Sequence, residues 1–142
     1  MGASAGVVIR NAYGDYVDWK VAFWSHILER DCAEVLAARF AVEVAGNYQG
    51  QRLEFQNGCA KVVSLLTIKR GWVGSIAPII SDILALMQAS VDGCFTCIPK
   101  GGNQVAWLLA KHATVGAADG MMPPCVVGAL AMDKLGIGTS GI

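Results

Sequence analysis

Few residues of this chain combine type and spacing in a way that could do chemistry, and Glu34 is the foremost. It sits between Ala33 and Val35, with Ala37, Ala38 and Ala41 three, four and seven positions on, so on a helix its carboxylate rises from a surface of alanines. Such a group can hold a hard cation in company with other carboxylates; alone, it reads as an exposed early-turn glutamate, as most helical glutamates are. Cys94-x-x-Cys97 has a spacing used in zinc and redox sites. In a strand, however, residues three apart point to opposite faces, and no second pair or nearby His completes four ligands, so both read as buried structural thiols. His26 has no Cys or Asp partner at a nucleophile's spacing, and His112, beside Lys111, suits the negative end of a helix dipole. Taken by themselves, Lys61, Lys69, Arg70, Lys100 and Lys111 read as ordinary solvated cations.

The segment that must position Glu34 runs from 29 to 45. Leu36, Phe40 and Val44 recur every four residues with Val35 and Val42 beside them, which predicts one broad apolar stripe on a core helix. Its alanines favour the helix and let a neighbouring layer lie close. Glu29, Asp31 and Glu34 suit its positive end, and Gly46 with Asn47 is expected to stop it. Before it, Gly6-Val-Val-Ile-Arg10, the turn residues Asn11 to Gly14 and the alternating run from Asp15 to Trp24 predict a β-hairpin, with Val17, Trp19, Val21 and Phe23 turned to the core. After it come a short strand over 51–56, with Leu53 and Phe55 on one face, and a short helix carrying Val62, Val63 and Leu66 inward. A basic loop over 67–74 leads to a longer helix capped by Ser75, with Ile76, Ile79, Ile80, Ile83, Leu84 and Met87 at helical spacing. A strand over 94–98 and a last helix after Asn103, with Val105, Leu108, Leu109 and His112 sharing a side, complete the order. Strand, strand, helix, strand, helix, helix, strand, helix implies a mixed α/β sheet with helices packed on it. Residues 3–115 read as one domain and 116–142, rich in Gly, Ala, Pro and Met, as an irregular tail.

Composition narrows the function classes. Hydrophobic residues make up 54% and charged residues 15% of the 142, which suits a buried sheet and argues against disorder. The formal charge is zero, so no basic excess points to phosphate. Five scattered cysteines with no secretory signal before them indicate reduced thiols in an intracellular protein. The most apolar run, Trp72 to Met87, contains Pro78 and Asp82 and is too short for a membrane span.

Four motifs in this order resemble the ribonuclease H fold, most closely the plant retroelement-derived, reverse-transcriptase-associated type. They are Ala5-Gly-Val-Val-Ile-Arg10 with Gly14; Ala33-Glu-Val-Leu-Ala37; Leu53-Glu-Phe-Gln-Asn-Gly-Cys-Ala-Lys-Val-Val63; and Cys97-Ile-Pro-Lys-Gly-Gly-Asn-Gln-Val-Ala-Trp-Leu-Leu-Ala-Lys111. The resemblance implies RNA–DNA hybrid as substrate, and two Mg²⁺ ions roughly 4 Å apart that activate a water and stabilise the leaving oxygen. Four carboxylates would converge on those ions, because one cannot hold two dications. Hybrid recognition would rest on 2′-hydroxyls and backbone, without base readout.

On that pattern the chain keeps one acid of four. Glu34 matches the acid of the first helix and is the one candidate metal ligand. The third position falls on Gly58, or on Asn57 if the register slips by one, and the fourth on Trp107, whose indole has no metal-binding oxygen. The first strand, with its Asp, is expected to be missing or truncated; if Met1-Gly2-Ala3 is its remnant, Met1 stands at the acid. Glu54 and Asp82 are the nearby carboxylates that could substitute. The resemblance therefore implies a nucleic-acid-binding domain with a degenerate hydrolytic site that does not hold Mg²⁺ tightly. Its partners would be RNA–DNA hybrid or RNA, with Lys61, Lys69, Arg70, Lys100 and Lys111 on the approaching helices and loops. The alternative is a vestigial interaction module of retroelement origin that recruits a strand from a protein partner, since losing a central strand exposes two edges.

Overall fold

The hairpin begins earlier than its β-branched run suggests. In the computed structural model, which describes residues 2–27, 29–48, 50–68, 72, 74–90, 92–99 and 104–113 (backbone alone for 90, 112 and 113), strand β1 spans Gly2–Arg10 and β2 spans Tyr16–Ser25. They pair antiparallel from Gly2 opposite Ser25 to Arg10 opposite Tyr16, with an irregularity between Ile9 and Arg10. Asn11 builds the turn: its Oδ1 accepts the amides of Tyr13 and Asp15, both at 3.0 Å, and its carbonyl accepts that of Gly14. This is an Asx-type turn, which the short amide side chain favours. Helix α1 follows over Arg30–Ala45, then a 3₁₀ turn at Gly46–Tyr48, strand β3 at Arg52–Asn57, helix α2 at Ala60–Ile68, helix α3 at Ile76–Ser90, strand β4 at Asp92–Cys97 and helix α4 at Gln104–Ala113. The expected order of elements holds throughout.

The described residues fall into two compact units, one within Met1–His26 and Ile98–Ile142 and the other within Ile27–Cys97. In the first, α4 packs on both strands of the hairpin. Val105 and Leu109 are buried there, with Val8, Trp19, Val21 and Leu108 against them. Gly6 is what brings the helix down. A Cβ at this position would lie 2.2 Å from the carbonyl oxygen of Ala106, 2.6 Å from the Cβ of Leu109 and 2.7 Å from the amide nitrogen of Ala110. The approach is backbone on backbone, which only glycine allows. The apolar face expected of β2 is thus half used: Trp19 and Val21 meet α4, whereas Val17 and Phe23 stay about half exposed.

In the second unit β3 and β4 run parallel, in register from Arg52 opposite Asp92 to Asn57 opposite Cys97. Phe55 and Phe95 stack across the pair with centroids 4.8 Å apart. The core is aliphatic: Val35, Ala38, Val42, Val62, Leu66, Ile76, Ile80 and Ile83 are all buried. So α1 meets this core through Val35 and Val42 of the expected broad stripe together with Ala38, while Leu36 and Val44 are buried outside this cluster. Ala38 at the middle of that row lets α3, its main helical neighbour, close in. Gly46 does not end the helix in a left-handed turn. Its φ of −57° continues into the 3₁₀ turn, and the positive φ falls on Gly50, at 84°. Pro78 stands in the first turn of α3, where a missing amide hydrogen is tolerated.

The strands pair as two two-stranded sheets, the antiparallel β1–β2 and the parallel β3–β4, with helices packed on them as the mixed α/β reading expects. Among the described residues no further strand joins either pair. No helix among them is long and apolar enough to cross a membrane. The domain's end at 115 and the tail over 116–142 lie outside the described residues.

Candidate functional site

The carboxylate singled out by its spacing does sit on a tightly held helix. Glu34 is half-buried in the second turn of α1, between Ala33 and the fully buried Val35. Gly58 follows the last residue of β3 and brings no side chain to that bend. Beside it, Asn57 is committed to structure: its Oδ1 accepts the Cys59 amide at 2.7 Å, directing the chain from β3 into α2. The two carboxylates named as substitutes are also engaged elsewhere. Glu54 Oε1 accepts from the Thr96 hydroxyl at 2.7 Å and from Gln56 Nε2 at 3.3 Å on the exposed side of β3–β4. Asp82 pairs with Arg39 at 3.2 Å on the outer surface of α3.

Of the cations expected to meet phosphate, Lys61 is exposed on α2 and bonded to Asp31 of α1. That hydrogen bond, and then the charge of Asp31, hold its ammonium above the ordinary lysine range. The contact borders an open depression of about 420 Å³ lined by Glu29, Asp31, Lys61, Leu65, Gly74, Ser75 and Ile76. Here the Ser75 hydroxyl donates to Glu29 at 3.3 Å, an interaction its capping position did not foretell. Lys20 and Arg39 likewise have acidic neighbours, Asp18 at 3.5 Å and Glu43 at 3.4 Å. Lys69, Arg70 and Lys100 lie outside the described residues, as does the side chain of His112.

In the first unit, the helical register that buries Val105 and Leu109 turns Trp107 outward, and the residue is 59% exposed. Lys111, one turn on, holds its ammonium 5.1 Å from the centre of the indole, a cation–π contact. The i,i+4 spacing was legible in the sequence, but reading Trp107 as a lost acid and Lys111 as a solvated cation concealed the pair. The thiols need a correction: Cys94 and Cys97 are both exposed, not buried, because one lies on the outer side of β4 and the other is its last residue. His26 follows β2 in a left-handed conformation, with φ 63°.

The donor set can now be weighed against a pair of Mg²⁺ ions. Among the described residues no group of three or more His, Cys, Asp or Glu side chains comes together as a metal site. Glu34, Gly58 and Trp107 supply one carboxylate between them, and Asn57 offers a neutral amide whose oxygen is in use. These residues do not fit the ion pair.

Comparison with known proteins bears on the family and the fold. The model of the reverse transcriptase-like family matches residues 2–113. Among solved structures, ribonuclease H1 from the halophilic archaeon Halobacterium salinarum NRC-1 is similar, with a TM-score of 0.69 and 22% identity over 82% of this chain and 88% of that one. At that identity the likeness concerns the fold, and it agrees with the α/β architecture expected from the element order. No curated protein sequence matches.

Proposed function

The chain belongs to the reverse transcriptase-like family, and from that membership we propose that this ribonuclease H-like domain contacts nucleic acid without hydrolysing it. The substrate class would be RNA–DNA hybrid or duplex RNA, met weakly and with strong salt dependence through backbone contacts. The domain would be a degenerate descendant of a plant retroelement ribonuclease H, working inside the cell. One observation carries the loss of hydrolysis: where the resemblance expects converging acids, the chain has Glu34, the bare backbone of Gly58 and the exposed indole of Trp107. With one carboxylate there is no means to hold two dications, so no Mg²⁺ chemistry is assigned to this chain.

A hybrid-cleavage assay in Mg²⁺ beside a filter-binding titration tests this reading. Retention of hybrid at low salt, weakening as salt rises, with the hybrid left intact, is the expected result. Cleavage that Glu34→Gln abolishes would overturn the non-hydrolytic part, and a flat titration would remove the binding part.

A second reading is favoured by the sheets themselves. Each has two strands among the described residues, and strand edges are ready templates for pairing with another chain. An interaction module that accepts a strand from a protein partner would satisfy such an edge. A well-behaved folded monomer in size-exclusion chromatography with light scattering would count against it.

A further inference from the structure

Trp107 is more than the place where an acid is missing. We propose that Trp107 and Lys111 on the outer face of α4 form a stacking site for one unpaired nucleobase of a single-stranded segment. This rests on the nucleic-acid reading above and adds to it the base-contacting element that backbone recognition of a duplex does not need.

The geometry that carries this is local to the first unit. Helix α4 is fixed on the hairpin by the backbone approach over Gly6 and by the buried Val105 and Leu109. The exposed face therefore has a settled orientation, and Gln104, Trp107 and Lys111 follow one another along it at spacings of three and four. Burial does not explain a tryptophan that is 59% exposed. Because Lys111 stands over the ring and much of the indole surface is still open, an aromatic guest has a π-face to meet and a cation close by.

The occupant follows from charge and size. Residues 104–113 include no acid, so this helix offers nothing to attract a cationic guest into an aromatic cage. Along the exposed face of α4 the apolar surface is one ring with Gln104 and Lys111 on either side, far below the roughly 800 Å² per partner that a stable protein interface buries. A single base matches the ring in area, and a neighbouring cation suits the phosphate that comes with it. Bases in a duplex are stacked on one another, so the guest is unpaired.

The test uses the full chain and an unlabelled dT12 oligonucleotide. Tryptophan emission should be quenched on titration. Trp107→Ala, at an exposed position that leaves the helix intact by circular dichroism, should weaken dT12 binding at least about fivefold, the scale of losing one base stack. Trp107→Phe keeps a stacking face and should bind within about twofold of the wild type while losing most of the quench. Lys111→Gln should cost about twofold to threefold. Unchanged dT12 affinity in Trp107→Ala would overturn the proposal, whatever the hybrid titration shows. If hybrid binds but dT12 does not, the stacking site alone falls; if neither binds, the nucleic-acid reading falls with it. A molecular mass that grows with protein concentration and returns to the monomer in Trp107→Ala would put a second copy on the ring and would also overturn the base.

Discussion

The two units put helix against sheet by different means. In the first, contact between α4 and the hairpin is carried by backbone over Gly6, and the buried side chains of that contact are Val105 and Leu109. In the second, helices and a parallel strand pair gather eight buried aliphatic residues, including Ile80 and Ile83 with no measurable exposure. Their surfaces differ to match. Among the described residues, Tyr13, Tyr16, Val17, Phe23 and Trp107 are large apolar side chains left exposed in the first unit, against Ile68 in the second. Among the described residues, the second unit gathers the larger aliphatic cluster, while the first relies on close placement over Gly6 and leaves several large side chains outside.

That contrast can be broken by mutation, and the largest effect should come from the volume side. Ile80→Ala empties a fully buried position and should destabilise the second unit by about 2–5 kcal/mol in urea unfolding. Trp72, whose indole donates to the Leu65 carbonyl at 3.3 Å, is the local fluorescent reporter. Amide exchange decides how independent the units are: loss of protection confined to α1, α2 and α3 keeps the contrast, and equal loss in α4 and the hairpin would mean that one cooperative transition covers both. Next comes the placement side. Gly6→Ala drives a methyl into the backbone of Ala106 and Ala110, which cannot yield as a side-chain tip does, and should cost about 1–3 kcal/mol. Exchange should then speed up in α4, and the emission of Trp19, packed against that helix, should shift to the red. Gly46→Ala is the control of opposite sign. Its φ of −57° suits any residue and a Cβ there meets nothing within 4 Å, so it should stabilise by about 0.4–1 kcal/mol.

The same contrast governs what the sequence could disclose. Aliphatic spacing is a strong signal, and Ile76, Ile80 and Ile83, like Val62 and Leu66, emerge where periodicity puts them. Small residues carry no such signal. Nothing in the text of Gly6 says that a helix about a hundred positions later will rest on it, and nothing in Ala38 says that it joins Val35 and Val42 in the core. Side-chain partners distant in sequence were equally silent: Asp31 with Lys61, Glu29 with Ser75 and Arg39 with Asp82 all join different elements. Of the candidate site, Glu34, Gly58 and Trp107 could be named from motif alignment, because that depends on order along the chain. The exposure of Trp107 and its cation depended on which face of α4 the hairpin would take.

A smaller effect tests whether the bend after β3 belongs to structure or to a lost site. Asn57→Ala leaves the half-buried Cys59 amide without its 2.7 Å acceptor and should cost about 0.5–1.5 kcal/mol. Asn57→Asp keeps the acceptor and should be close to neutral in stability. If Asn57→Asp instead gave Mg²⁺ binding by isothermal titration, the bend would retain more of a metal site than Glu34 alone suggests.

The smallest effect belongs to the contact between Lys61 and Asp31, whose exposure to solvent leaves it open to screening. Its sign is nevertheless fixed. The ammonium is held above its ordinary range in the folded chain, chiefly by the hydrogen bond from Lys61 to Asp31. A group with a raised folded value binds its proton more tightly when folded, so its contribution is fully present below the unfolded value and disappears as pH climbs through the folded one. The urea midpoint of the wild type should therefore fall slightly more than that of Lys61→Met between about pH 9 and pH 12. Added salt should shrink the difference. A wild type and variant that track each other over this range at low salt would mean that the pair does not persist in solution, and that Lys61 is available to phosphate after all.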